Sequence, residues 1–191
     1  MKIIASNLTD YLITRQYVSA QKRAWCIYFI QKKLLNIISI IMFWIISIHN
    51  RLFIETLLFA SAFLLLRKRT GGLHMNSPFL CIFFSSLLIY YIPYGIPLLI
   101  QRERIIPLIL IISFYIIQKF APLNHPGIHM TEKECVANNR AAIKCFLVLL
   151  SIFTLFLVVK KKLWSYYIVL GIICDVVFII LGKVFKREVK I

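Results

Sequence analysis

Long apolar runs broken by short basic stretches set the pattern of this chain. Six runs stand out, at about 34–49, 52–66, 79–100, 105–118, 143–159 and 163–182. None shows the two-residue alternation of a barrel strand with a polar lumen face, so the pattern argues for helices and against a β-barrel. At ~1.5 Å per residue, a hydrocarbon core of ~30 Å takes about 20 residues. Only the third and sixth runs reach that length comfortably. The second is short and carries Glu55, and the fourth is short with Pro107 near its start. Such runs are expected to tilt, to re-enter or to be half-buried in protein. The expectation is an all-α, polytopic integral membrane protein with four to six transmembrane or re-entrant helices.

Ahead of the first run, Ile3, Ile4, Leu8, Leu12, Ile13 and Val18 fall loosely on one helical face. That spacing predicts an N-terminal amphipathic helix lying on the membrane surface. Asp10 and six Lys or Arg precede residue 34, and no short apolar core with a small-residue cleavage site is present. The start therefore does not read as a removable signal peptide. The expected organisation is an amphipathic cytoplasmic segment over 1–33, a helical transmembrane domain over 34–182, and a basic cytoplasmic tail over 183–191.

Composition sharpens this reading. Hydrophobic residues make up 61% of 191 and charged residues 16%, more apolar surface than a soluble domain of this size hides. The net charge of +16 raises the question of nucleic acid. The cations flank apolar runs, so an anionic lipid bilayer is the expected partner and nucleic acid is not. With six crossings and a cytoplasmic N-terminus, the inner side collects 17 Lys and Arg and the outer side six. That positive-inside bias puts the loop after the second run in the cytoplasm. Lys160, Lys161 and Lys162 resist it, because they fall outside.

The chemistry concentrates in 67–81, Arg-Lys-Arg-Thr-Gly-Gly-Leu-His-Met-Asn-Ser-Pro-Phe-Leu-Cys. It holds His74 and Cys81, the side chains most often used as base and nucleophile at neutral pH. Ser77-Pro78 reads as a helix opening, with serine at the cap and proline at the first helical position. Cys81 then falls in the first turn, where free backbone N–H groups and the helix dipole favour a thiolate and an oxyanion. Gly71 and Gly72 make the preceding loop compliant enough to fold His74 back towards Cys81. Arg67 and Arg69 add positive charge that either anchors a substrate carboxylate, stabilises the thiolate, or only marks a cytoplasmic helix end. The pair points to a membrane-embedded cysteine peptidase.

Other polar residues offer competing readings. Cys26, Cys145 and Cys174 sit in apolar contexts where cysteine serves as a small hydrophobe. His125, His129 and Cys135, with His74 and Cys81, are conceivable zinc ligands but match no recognised spacing, and Pro126-Gly127 disfavours one helix carrying both histidines. No metal or cofactor is expected. Glu55 and Asp175 are costly in lipid and should each face a partner or a wet cavity. Glu55 is a candidate to orient His74 as a third catalytic member.

The pattern Arg67-x-x-x-Gly71-Gly72-x-His74-x-x-x-x-x-x-Cys81, set between apolar helices, resembles the accessory gene regulator B (AgrB) family, bacterial membrane endopeptidases of peptide quorum sensing. Ala121-Pro122 after the fourth run is a second matching piece. Asn124 stands where the family usually has an acidic residue, and Pro126 comes earlier than the family's later proline. The resemblance implies Cys81 as nucleophile and His74 as general base and acid. Arg67 and Gly72 fall on motif positions that support site geometry or substrate binding, and Arg69, Gly71 and Ser77 are grouped with them. It further implies an AgrD-like precursor peptide as substrate, cyclisation to a thiolactone or lactone, a bacterial cell-membrane location and a homodimer. The alternative is a non-enzymatic transporter or channel subunit, which would gather its polar groups at mid-membrane around Glu55 or Asp175.

Overall fold

Seven α-helices account for nearly all of the described residues in the computed structural model, which comprise 2–71, 78–123 and 131–184. Side chains at Lys2, Lys32, Asn36 and 78–82 lie outside that description. The helices are α1 (Lys2–Thr14), α2 (Arg23–His49), α3 (Phe53–Thr70), α4 (Pro78–Gln101), α5 (Ile106–Phe120), α6 (Glu132–Val158) and α7 (Lys162–Val184). The described residues include no strand, so the all-α expectation holds.

Two helices are longer than their apolar runs. α2 begins at Arg23 and α6 at Glu132, about ten residues before each run. Hydropathy marks only the part of a helix that meets lipid; the helix itself stops where its backbone finds a cap. At α6 that cap is explicit. Thr131 accepts from the Glu134 backbone N–H, and Glu134 Oε2 accepts from the Thr131 N–H at 2.8 Å, a closed capping box. The cap lets polar residues 132–142 stay helical below the apolar run. Among the described residues, four helical stretches are long and apolar enough to cross a membrane: Ala20–His49, Phe83–Gln101, Glu132–Val158 and Lys162–Val184. α3 and α5 are the shorter two, as their sequences predict.

Contacts near helix ends reveal the bundle's direction. Trp164 at the start of α7 donates to Glu55 at the start of α3 (3.3 Å), and Thr70 at the end of α3 donates to Asp175 further along α7 (3.0 Å). α3 and α7 therefore run parallel. The Lys183 ammonium lies 3.5 Å from the Phe120 ring centroid at the end of α5, so α5 runs with them. One face, face A, gathers the ends of α3, α5 and α7 and the start of α6. The opposite face B carries Glu55, Glu103 and the α6–α7 turn. Lys160–Lys162 thus sit on face B, where Lys162 pairs with Glu103. That ammonium, followed by the Tyr166 hydroxyl, holds the Glu103 carboxyl below the usual carboxylate range. One of the three troublesome cations is thereby answered by an anion on the same face.

α7 is the central helix. Ser165, Tyr166, Tyr167, Ile168 and Val169 are all buried in succession, so protein surrounds this part of it on every side, while Val177 and Ile180 further along are exposed. Its closest approach is to α3, and Gly171 makes that approach possible. A Cβ at 171 would come within 2.8 Å of the Phe59 carbonyl oxygen and 2.9 Å of the Ala62 Cβ. Small residues at such crossings let backbones pack closely inside a membrane. Gly171→Val should force the two helices apart, costing about 1–3 kcal/mol by overpacking. A fall in the thermal midpoint in detergent would register it; an unchanged midpoint would mean that α3 and α7 are not held by this contact.

α1 differs from its sequence reading in detail. It ends at Thr14, so Val18 lies beyond it. Ala5 and Thr9 are its buried positions, while Ile3, Ile4 and Leu8 remain exposed. The small-residue face thus packs on protein and the isoleucine face is left exposed. Arg23 ties α1 to α2, donating to both Asp10 carboxylate oxygens (2.8 and 3.0 Å) and to Ser6 Oγ (3.0 Å). The Arg23 guanidinium holds the Asp10 carboxyl below its ordinary range.

Candidate active site

The end of α3 is where sequence-distant segments converge. Arg67, Lys68 and Arg69 occupy its last turn, where cations meet the negative end of the helix dipole. Thr70 is fully buried. Its hydroxyl donates to Asp175 on α7, and its carbonyl accepts from the Leu123 backbone N–H at 2.9 Å. One threonine therefore joins α3 to α7 and to the segment that follows α5.

Gly71 closes the helix with φ 68° and ψ −128°, backbone that glycine adopts readily and L side chains rarely do. Space gives a second reason for glycine. A Cβ there would stand 2.7 Å from the Leu123 carbonyl oxygen. The Arg67 guanidinium donates to the Gly71 carbonyl and lies 4.9 Å from the Phe178 ring centroid on α7. Arg67 therefore holds the first residue of the loop from above while Leu123 walls it from the side.

Arg69 turns the other way, with its Nη1 3.4 Å from Asn138 Oδ1 on α6. The next residue, Asn139, donates to the carbonyls of Ala121 (2.5 Å) and Gln118 (3.2 Å). Unpaired carbonyls at the end of α5 are thus met by a side-chain amide from α6. Ala121 and Leu123 are buried against this junction. The start of the first sequence piece quoted above, 67–71, and the second, 121–122, are neighbours in space here.

From Gly71 the chain runs through 72–77 to Pro78, the first residue of α4. Gly72, His74 and Ser77 lie outside the described residues, as do Asn124, His125 and His129. The expected opening of the helix at Pro78 is found, and Cys81 occupies the first turn of α4. Both flanks of the loop lie on face A. Cys26 is buried, and Cys135, Cys145 and Cys174 are half-buried free thiols. Cys145 and Cys174 pack against the apolar core, in keeping with a packing role. Among the described residues no group of three His, Cys, Asp or Glu is arranged to hold a metal ion.

Glu55 does not belong to this junction. It sits in the first turn of α3, roughly 22 Å along the helix from Thr70, and is engaged by Trp164. Glu55 thus stands at the far end of α3 from Gly71, where the chain leaves for His74. The acidic residue bonded to the end of α3 is Asp175, which sequence alone marked only as costly. Thr70, Asn139 and Phe178 carried no signal, because their importance lies in which distant groups they meet. A groove of about 660 Å³ between α2, α3 and α4 is lined mainly by apolar residues such as Phe43, Trp44, Leu64 and Ile89, with Ser39, Ser61, Ser85 and Ser86 among them.

Comparison with known proteins adds one finding. The family model for accessory gene regulator B matches residues 5–180. That family acts in quorum-sensing peptide processing and is associated with an AgrD-type propeptide. No curated protein and no solved structure matches the chain.

Proposed function

The chain belongs to the accessory gene regulator B family, and from that premise we propose that it is a membrane-embedded cysteine endopeptidase, with Cys81 as nucleophile and His74 as general base and acid. The observation that supports it best is Cys81 in the first turn of α4, across a short loop from a Gly71 that is walled in on two sides.

The chemistry is two acyl transfers. His74 takes the Cys81 proton, and the thiolate attacks the carbonyl preceding the acidic tail of an AgrD-like precursor. A C–S bond forms, the C–N bond breaks, and the imidazolium gives its proton to the departing amine. Free N–H groups at the start of α4 are suited to the oxyanion of that step. A cysteine thiol or serine hydroxyl inside the precursor then attacks the thioester, losing its proton to His74 while Cys81 departs as thiolate. The product is a thiolactone or lactone ring. A thiol at the membrane surface meets a membrane-bound peptide directly, and keeping water out favours ring closure over hydrolysis. Arg67, Arg69, Gly71, Gly72 and Ser77 support the site or bind substrate. The basic face attracts the acidic tail, which fits a cytoplasmic orientation for the N-terminus and this loop.

The transporter alternative would gather polar groups at mid-membrane around Glu55 or Asp175, whereas these two lie against opposite ends of α3.

Mass spectrometry of a cognate precursor incubated with the protein in liposomes tests the proposal. The expected products are free tail and a peptidyl adduct mapped to the Cys81 peptide. An adduct on Cys135, or tail release with no thioester, would overturn the assignment. No processing by correctly inserted protein would shift the reading to the non-enzymatic one.

A further inference from the structure

The loop that leaves α3 at Gly71 returns to the bundle as α4 at Pro78. Those same two helices form two walls of the groove of about 660 Å³, with α2 as the third. On α3 the lining extends to Leu64, six residues before Thr70, and on α4 it starts at Ser85, seven residues after Pro78. At ~1.5 Å per residue, the groove begins about 10 Å beneath the ends of both helices on face A. Ser85 lies four residues beyond Cys81, one helical turn and ~6 Å along the axis. An extended peptide advances ~3.3 Å per residue, so the two residues next to a bond held at Cys81 reach the groove.

The lining says what kind of chain fits. Phe43, Leu64 and Ile89 are apolar, yet Ser39, Ser61, Ser85 and Ser86 bring hydroxyls from all three helices. The Ser39 hydroxyl donates to the Leu35 carbonyl and the Ser61 hydroxyl to the Leu58 carbonyl, both at 2.9 Å. With their protons engaged inside their own helices, these oxygens are left as acceptors. A lipid acyl chain has no donor to offer them. A peptide has one N–H per residue, and in lipid each N–H needs an acceptor. An apolar peptide segment therefore matches both the greasy and the polar parts of the lining. Charge decides which side of the scissile bond that segment belongs to. The lining includes no charged side chain, and a carboxylate in such surroundings is costly, whereas Arg67, Lys68 and Arg69 end α3 on face A. An acidic tail stays with those cations, which leaves the groove to the acyl side.

We propose that the groove is the acyl-side specificity subsite of the peptidase. It takes the last two residues before the scissile bond of the precursor and selects large apolar ones. The proposal deepens the peptidase reading given above and rests on it. The volume falls within the ~300–1,000 Å³ usual for sites that enclose a small ligand. Because the groove holds the acyl side, the peptide stays seated after its tail has left, which keeps the thioester in place for ring closure.

The test uses the full-length protein in liposomes with precursors alike except for the two residues before the scissile bond: Leu-Phe, Ala-Ala or Ser-Asn. Wild type should process the Leu-Phe form with kcat/KM at least ~10-fold above the Ala-Ala form, and Ser-Asn should be poorer still, the scale on which a hydrophobic pocket discriminates. Ser61 is exposed, so Ser61→Phe should fold normally, fill the groove from α3 and bring Leu-Phe down to the level of Ala-Ala. Ser85→Leu repeats the experiment from α4. Leu87→Phe, exposed on α4 and outside the groove, should keep the wild-type preference. The ratio between precursors within one variant does not depend on how much of it folds. A second readout leaves the groove intact. A precursor carrying benzoylphenylalanine just before the scissile bond, irradiated with Cys81→Ala protein, should crosslink to peptides containing 57–64 or 85–89.

Equal processing of the three precursors by wild type would overturn the inference, as would a Leu-Phe preference that survives both Ser61→Phe and Ser85→Leu. Crosslinks confined to lipid or to other helices would do the same. The parent reading fails separately, through cleavage by Cys81→Ala. A protein that needs Cys81 and treats the three precursors alike would sink this inference and spare the peptidase.

Discussion

Replacing Cys81 by alanine is expected to abolish release of the precursor's tail while leaving the protein inserted in the membrane. Alanine is a good helix former, and the substitution falls inside a helix of 24 residues, so α4 has no reason to unwind. What disappears is the atom that forms the acyl bond. Removing a nucleophile that works as a unit with its base costs on the order of 10⁴-fold or more, so tail release should fall below detection. Cys81→Ser keeps the size and loses most of the nucleophilicity, and should be nearly as inactive. The other four cysteines supply the control. Cys26 is buried, and Cys145 and Cys174 pack on the core; alanine at each should cost some stability and little activity. Cys135 is the control that matters most, because it lies early in α6, on the same face as the loop. Tail release measured by mass spectrometry, normalised to inserted protein, decides the matter. Persistent cleavage in Cys81→Ala, or its loss in Cys135→Ala, would require a different nucleophile.

Gly71→Ala is the second large effect, and the reason is geometric. The residue has a φ of 68°, which costs an L residue about 1–3 kcal/mol. Its new Cβ would also stand 2.7 Å from the Leu123 carbonyl oxygen. Backbone cannot step aside as a side-chain tip does. Either the Thr70–Leu123 hydrogen bond opens or the end of α3 moves, and both shift the start of the loop to His74. Tail release should drop roughly 100-fold, the scale of an ångström-sized misplacement. The thermal midpoint should fall by only a few degrees, in line with a cost of that size. Gly95→Ala is the matched comparison. Its Cβ would meet only the Leu170 side-chain tips at 3.4 Å, and alanine favours the helix. Activity close to wild type there, with the large loss at Gly71, would separate a site-specific backbone requirement from a general dislike of side chains at glycine positions. Equal losses at both would remove the special role of Gly71.

Much of this architecture is legible in the sequence because lipid imposes a coarse rule. Backbone polar groups in hydrocarbon must be satisfied within the segment, so apolar runs of sufficient length become helices. The helix opening at Pro78 was legible for a local reason, proline being favoured in a first turn. The start of α6 at Glu132 was less so, because a capping box depends on two side chains meeting, and hydropathy is blind to that. Glu55 and Asp175 looked equivalent as acids in apolar runs. Their different fates follow from which end of α3 each one meets.

By itself the sequence determined that this is an all-α membrane protein, that four to six segments are candidates to span, that α4 opens at Pro78 with Cys81 in its first turn, and that the chain resembles the family to which it belongs. These follow from local chemistry: hydropathy, caps and a short motif. The tertiary structure alone decided that Thr70, Leu123, Asn139 and Asp175 converge at the end of α3, that Gly71 is walled by a carbonyl 52 positions further on, and that Lys162 finds Glu103 on the opposite face. Those contacts join residues far apart in the chain, and they exist only because α3 and α5 run parallel to α7, the most buried helix of the bundle.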